Sequence, residues 1–164
     1  MKRLKGHLNA NKIALPPAVR LKGKSGLTLE RLQRLVDKEL RPNGHGNVVL
    51  HVGANDIGTL TEGDWIDELT EKVAYIRARY PHYNLFWSDM TPRLNWRDED
   101  PKKMEIKRKR SQRRARKVFF RDAHGVIRHP DLQLDLTLLN VDGVHFDFEG
   151  QVVFWNDFKN YFGW

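Results

Sequence analysis

A chain of 164 residues with 40% hydrophobic and 30% charged side chains is long enough for one self-sufficient core, and its five Trp and eight Phe exclude wholesale disorder. The absence of cysteine excludes disulfides and thiolate metal sites, and no apolar run approaches the roughly 18–20 residues that span a bilayer. The formal net charge of +8 favours polyanionic partners, and it is concentrated: residues 102–117, opened by Lys102 and closed by Lys117, hold ten Lys or Arg against one acid, Glu105.

Residues 1–164 are expected to form a single domain. The opening residues are charged but lack the apolar stretch of a secretory leader, so an intracellular protein, cytoplasmic or nuclear, is expected. Residues 2–12 carry Leu4 and Leu8 at i, i+4 and read as a short helix, which Pro16-Pro17 stops. Residues 18–21 read as a strand, closed by a turn through Gly23 and Gly26. Thr28 is placed to cap a helix whose Leu29, Leu32, Val36 and Leu40 share a face. Residues 47–52 are a β-branched run with the look of a buried parallel strand, and it stops at Gly53-Ala54-Asn55-Asp56. Trp65, Leu69, Val73, Ile76 and Tyr80 give a second amphipathic helix, ended by Pro81. An aromatic strand over 83–87, a long basic helix over 102–120 and a short strand over 125–128 follow. After Asp142-Gly143-Val144-His145, a last helix places Phe154, Phe158, Tyr161 and Phe162 on one side. Alternation of this kind predicts an α/β fold with an open parallel sheet covered by helices. Ligands of such sheets bind at the carboxyl ends of the strands, where the loops after Leu21, Val52 and Trp87 should meet.

Three stretches carry residues suited to chemistry. In Asp142–His145 a carboxylate three residues before an imidazole can reach Nδ1–H, fix the tautomer and leave Nε2 to take a proton; the same residues also suit a plain Asp-Gly turn. Asn55 can donate an amide N–H to a developing oxyanion, with Gly53 letting the backbone approach, or it can simply end a strand. Gly26 can add a backbone N–H or form a tight turn.

Taken together, these stretches resemble a known family. Val49-Leu50-His51-Val52-Gly53-Ala54-Asn55-Asp56-Ile57 resembles the Gly-x-Asn-Asp block of SGNH, or GDSL-type, hydrolases, and Asp142-Gly143-Val144-His145-Phe146 resembles their Asp-x-x-His block. Lys24-Ser25-Gly26-Leu27-Thr28 is similar to the glycine block after the family's second strand. Trp87-Ser88-Asp89-Met90-Thr91-Pro92-Arg93 is similar to a stretch of divergent, retroelement-associated SGNH-like domains. The resemblance implies a flavodoxin-like three-layer sandwich with a mostly parallel sheet. It also implies ester hydrolysis without metal or cofactor, with His145 as general base, Asp142 as its orienting partner and Asn55 and Gly26 as oxyanion donors.

The resemblance breaks at the nucleophile. The family opens with a strand and a Gly-Asp-Ser turn, whereas residues 2–12 already look like the helix that follows that turn. The expectation is therefore an N-terminally truncated domain, without its first strand and catalytically dead or nearly so; a start at an internal methionine is the alternative account of the missing segment. The chain has three serines, Ser25, Ser88 and Ser111, and Ser25 is the nearest to a substitute nucleophile. Seven scattered histidines form no metal motif. The partner would be a small ester if the domain is active. The non-enzymatic alternative is a basic accessory protein of a mobile element, contacting nucleic acid through Lys102 to Lys117.

Overall fold

In the computed structural model, residues 19–96 and 99–164 are described. Alternation along three short strands decides the layering. Strands β1 (Gly46–Leu50), β2 (Tyr83–Ser88) and β3 (Gly125–Ile127) form a parallel sheet in the order β1-β2-β3, with Leu50 opposite Trp87 and Trp87 opposite Val126. Successive side chains of a strand face opposite ways. Val48, Leu50, Leu85, Trp87 and Val126 therefore point to one side, and Val49, Phe86 and Ile127 to the other.

Helices α1 (Leu29–Glu39), α2 (Glu62–Arg79) and α3 (Pro101–Asp122) cover the first side. Their Leu32, Val36, Trp65, Leu69, Val73, Ile76, Ala115 and Phe119 are buried in the main core. Full burial of Leu69, Leu85 and Phe119 stabilises the fold by roughly 1.5–3 kcal/mol apiece. The second side is covered by α5 (Phe148–Phe162), which supplies Trp155 and Phe158. The result is the three-layer α/β arrangement expected of the chain.

Local chemistry sets the helix ends. The Thr61 hydroxyl accepts from Asp64 N at 3.1 Å, Asp100 from Lys102 N at 2.9 Å, and Asp147 from Gly150 N at 2.8 Å. Helix α1 departs from this pattern. Thr28 sits at its N-cap but makes no side-chain cap bond, and the Leu29 N–H is taken instead by the Asp56 carboxylate at 3.2 and 3.3 Å. A residue of the loop after β1 thus caps α1.

Several expectations change. Ala18 and the helix expected over residues 2–12 lie outside the described residues. Val19, Arg20 and Leu21 form no strand: among the described residues β1 is hydrogen-bonded to β2 alone, and Val19 and Leu21 pack half-buried against the α5-side core. The run expected over 47–52 leaves the ladder at Leu50. A short helix α4 (Pro130–Leu134) and a single 3-10 turn (Leu136–Leu138), neither expected, carry the chain from β3 to the Asp142 turn.

Asp89, just beyond β2, is fully buried, and both its oxygens accept from Arg116 Nε, at 3.0 and 3.1 Å. Arg116→Ala would leave that carboxylate unpaired in the interior, and the unfolding free energy in urea should fall by roughly 3–5 kcal/mol. A loss below about 1 kcal/mol would mean that water reaches Asp89 and carries its charge.

Candidate active site

The turn before α5 is built by one carboxylate. Asp142 Oδ1 accepts from Val144 N and His145 N, both at 2.9 Å, while Oδ2 lies 2.6 Å from His145 Nδ1. The His145 N–H, then the Val144 N–H, then the His145 ring hold the Asp142 carboxyl down at about 2. Asp142 is thus an anion at neutral pH, and a neutral His145 carries its proton on Nδ1, leaving Nε2 as the lone-pair nitrogen. The imidazole is about half exposed.

Three loops are stitched to this turn by hydrogen bonds. Asn55 Nδ2 donates to Leu27 O at 2.9 Å, which ties the Gly-x-Asn-Asp loop to the glycine turn. Asn55 Oδ1 accepts from Arg93 Nη2 at 3.2 Å, and the next residue, Leu94, donates its N–H to Gly143 O at 2.7 Å. Gly143 adopts φ +66°, and a Cβ there would lie 3.0 Å from Leu94 Cβ, so glycine permits the contact. One short segment after β2 therefore touches both Asn55 and the Asp142 turn. The second N–H of the Asn55 amide makes no hydrogen bond among the described residues.

The glycines separate in role. Gly26, at φ +65°, has open space where a side chain would stand and is exposed. Gly53, at φ +97°, lies against Trp65: a Cβ would come within 2.6 Å of the indole, whose Nε1 donates to Gly53 O at 3.0 Å. Packing accounts for glycine at 53 without any ligand.

A second array was not anticipated. Ser88 Oγ lies 2.8 Å from His129 Nε2 and 2.9 Å from His51 Nδ1, and His129 Nδ1 lies 2.8 Å from Asp157 Oδ2. The order is that of a Ser–His–Asp triad, but Ser88 and His129 are completely buried. Burial, then His129 and Arg93, pulls the basicity of His51 down to about 3, so its ring is neutral. Ser88 thus bridges the two imidazoles, and the Nδ1–H of His129 donates to the Asp157 carboxylate. The signal was present in the sequence. Val49, Phe86 and Ile127 face α5, and two residues further along the chain from each come His51, Ser88 and His129.

Of the three serines, Ser25 is exposed in the glycine turn, Ser88 is locked between imidazoles, and Ser111 is buried within α3. None is hydrogen-bonded to His145 among the described residues. No group of three or more His, Asp or Glu among the described residues is placed to hold a metal ion, and no helix there is long and apolar enough to cross a membrane.

Two measurements probe this edge. Ser88→Ala strands His129 Nε2 and His51 Nδ1 in the interior and should cost roughly 1–3 kcal/mol of stability, with a change in the His51 tautomer seen in nitrogen-edited NMR. An unchanged tautomer would show that Ser88 does not orient His51. Burial pushes the Asp56 carboxyl up to about 6 against the opposing Leu29 N–H bond. Its folded pKa lies above the unfolded value, so its contribution is present below about pH 4 and is lost as pH rises through about 6. Denaturation from pH 4 to 7 should show a fall on the order of 2–3 kcal/mol that Asp56→Asn removes. An identical fall in the variant would assign it to another group.

Neither protein-family models nor curated proteins match the sequence. Solved structures do. A Streptococcus pneumonia protein described as a candidate platelet activating factor matches with TM-score 0.76 and 16% identity, covering 96% of this chain and 78% of its own. A Parabacteroides merdae protein described as a candidate GDSL-like lipase matches with TM-score 0.74 and 16% identity, over 98% of this chain and 79% of its own. The acetylxylan esterase Axe2 of Geobacillus stearothermophilus matches with TM-score 0.71 and 15% identity, over 99% and 80%.

Proposed function

The chain has the SGNH/GDSL-type hydrolase fold, and we propose that it is a domain of the carboxylic-ester-hydrolase kind with Asp142 and His145 as its acid–base pair. In this reading His145 Nε2 takes the proton of the group that attacks the ester carbonyl. Asp142 stabilises the imidazolium that forms. The free N–H of Asn55, with the Gly26 N–H, receives the oxyanion, and one such donor is typically worth about 3–4 kcal/mol in the transition state. Collapse of the intermediate expels the alcohol, which recovers its proton from His145. The observation that carries the reading is the 2.6 Å contact between Asp142 Oδ2 and His145 Nδ1, on a turn bonded through Leu94 and Arg93 to Asn55.

The same reading makes the 164-residue polypeptide a weak catalyst. None of its own serines meets His145, so the attacking group would be water. Loss of the nucleophile from a triad lowers turnover on the order of a million-fold, while the oxyanion site and binding sustain a residual rate.

Hydrolysis of p-nitrophenyl acetate by the purified protein tests both statements. The expected turnover lies far below the roughly 10 s⁻¹ of an ordinary enzyme, falls further in His145→Ala and Asp142→Asn, and is unchanged in Ser25→Ala. Turnover at ordinary levels, abolished by both Ser25→Ala and His145→Ala, would make Ser25 the nucleophile and overturn the second statement. A residual rate indifferent to His145→Ala would overturn the first.

A further inference from the structure

The ten cations of residues 102–117 do not serve one purpose. Arg108 is fully buried and bonds Glu105, Met90 O at 2.6 Å, Gln112 and Gln133. Arg116 holds Asp89. Arg110 and Arg114 reach Glu62 at the start of α2. Lys102, Lys103, Lys109, Arg113 and Lys117 are exposed and make no ion pair among the described residues. Glu105 is engaged by Arg108 and by the Arg93 N–H at 3.0 Å.

Four of the free cations fall on one line. Positions 102, 106, 109, 113, 117 and 120 are separated by three or four residues, so they lie one above another on a single helix face. All six are exposed; Ile106 is 52% and Phe120 62% accessible. At 1.5 Å per residue the ladder runs about 27 Å. Within it Lys109, Arg113 and Lys117 stand at i, i+4 spacing, an arrangement of like charges that disfavours the free helix and that a bound polyanion relieves. Phe119, next to Phe120, is fully buried, so the aromatic pair divides between core and surface.

We propose that this face of α3 is a binding surface for single-stranded nucleic acid. Lys102, Lys109, Arg113 and Lys117 contact successive phosphates, and Phe120 offers a ring on which a base stacks. Charge complementarity selects a polyphosphate backbone, and the exposed ring at the end of the line selects unpaired bases. Base edges meet no fixed hydrogen-bonding side chains on this ladder, so recognition is independent of sequence. The surface lies on the exposed side of α3, opposite the residues that pack into the core, and does not depend on the chemistry of Asp142 and His145.

Fluorescence anisotropy with a labelled single-stranded RNA of mixed sequence, titrated at several salt concentrations, tests this directly. Four phosphate contacts predict a log–log slope of about −2.8, a loss of roughly fiftyfold in affinity between 50 and 200 mM salt. Replacing Lys102, Lys109, Arg113 and Lys117 together by Gln should abolish measurable binding, with circular dichroism confirming a folded protein. Phe120→Ala should weaken binding to the single strand about fivefold or more and leave the slope unchanged. Absence of binding at 50 mM salt, equal affinity of the four-Gln variant, or binding to phosphatidylserine vesicles but not to RNA would each overturn the proposal. Should the four-Gln variant fail to fold, the slope measured on the unaltered protein decides.

Discussion

Every residue of a strand must face one of two ways, and in this molecule that constraint sorts both the core and the polar chemistry. On the α1–α3 side the sorting yields an apolar layer centred on Leu85 and Trp87. On the α5 side it yields an apolar layer of Val49, Phe86 and Ile127, and then, two residues further along the chain from each, His51, Ser88 and His129. Helix α5 completes that polar layer with Asp157. The sheet is therefore closed at its carboxyl edge by hydrogen bonds rather than by hydrocarbon, and buried groups of this kind are stable only when every member is satisfied.

The same edge is held by side chains that satisfy loop backbone. Asp56 takes the Leu29 N–H, Asn55 gives to Leu27 O, Glu105 takes the Arg93 N–H, and Asp142 takes two N–H groups of its own turn. Residues suited to chemistry here also keep four loops in place. That dual use is physically economical: a donor or base whose rotamer is already fixed by backbone needs no reorganisation when a ligand arrives.

The basic helix illustrates how composition and structure divide the work. Ten cations in sixteen residues look uniform on the page. Two become internal counter-charges for Glu105 and Asp89, two lean on α2, and four of the remaining six form an exposed line. The internal pair holds the segment after β2 in place, because Arg108 grips Met90 O and Arg116 grips Asp89.

Hydrophobic spacing was enough to find α1, α2 and α5, and short β-branched or aromatic runs and one basic run marked the strands and α3, since such local patterns survive without knowledge of partners. The Asp142–His145 pair was also legible, because three residues across a turn fix that contact locally. What the residues alone did not determine depends on distant partners. Residues 18–21 read as a strand, yet β-structure requires a neighbour to complete its hydrogen bonds, and in the described residues Val19 to Leu21 find none. Thr28 looked like the cap of α1, but Asp56, distant in sequence, occupies that place. Ser88 looked like a strand-end serine, and only the meeting of β1, β2, α5 and the chain after β3 put it between two imidazoles. Periods and short turns are written in the chain because they are satisfied within a few residues; caps, buried polar arrays and strand pairing are settled only when segments tens of residues apart compete for the same hydrogen bonds.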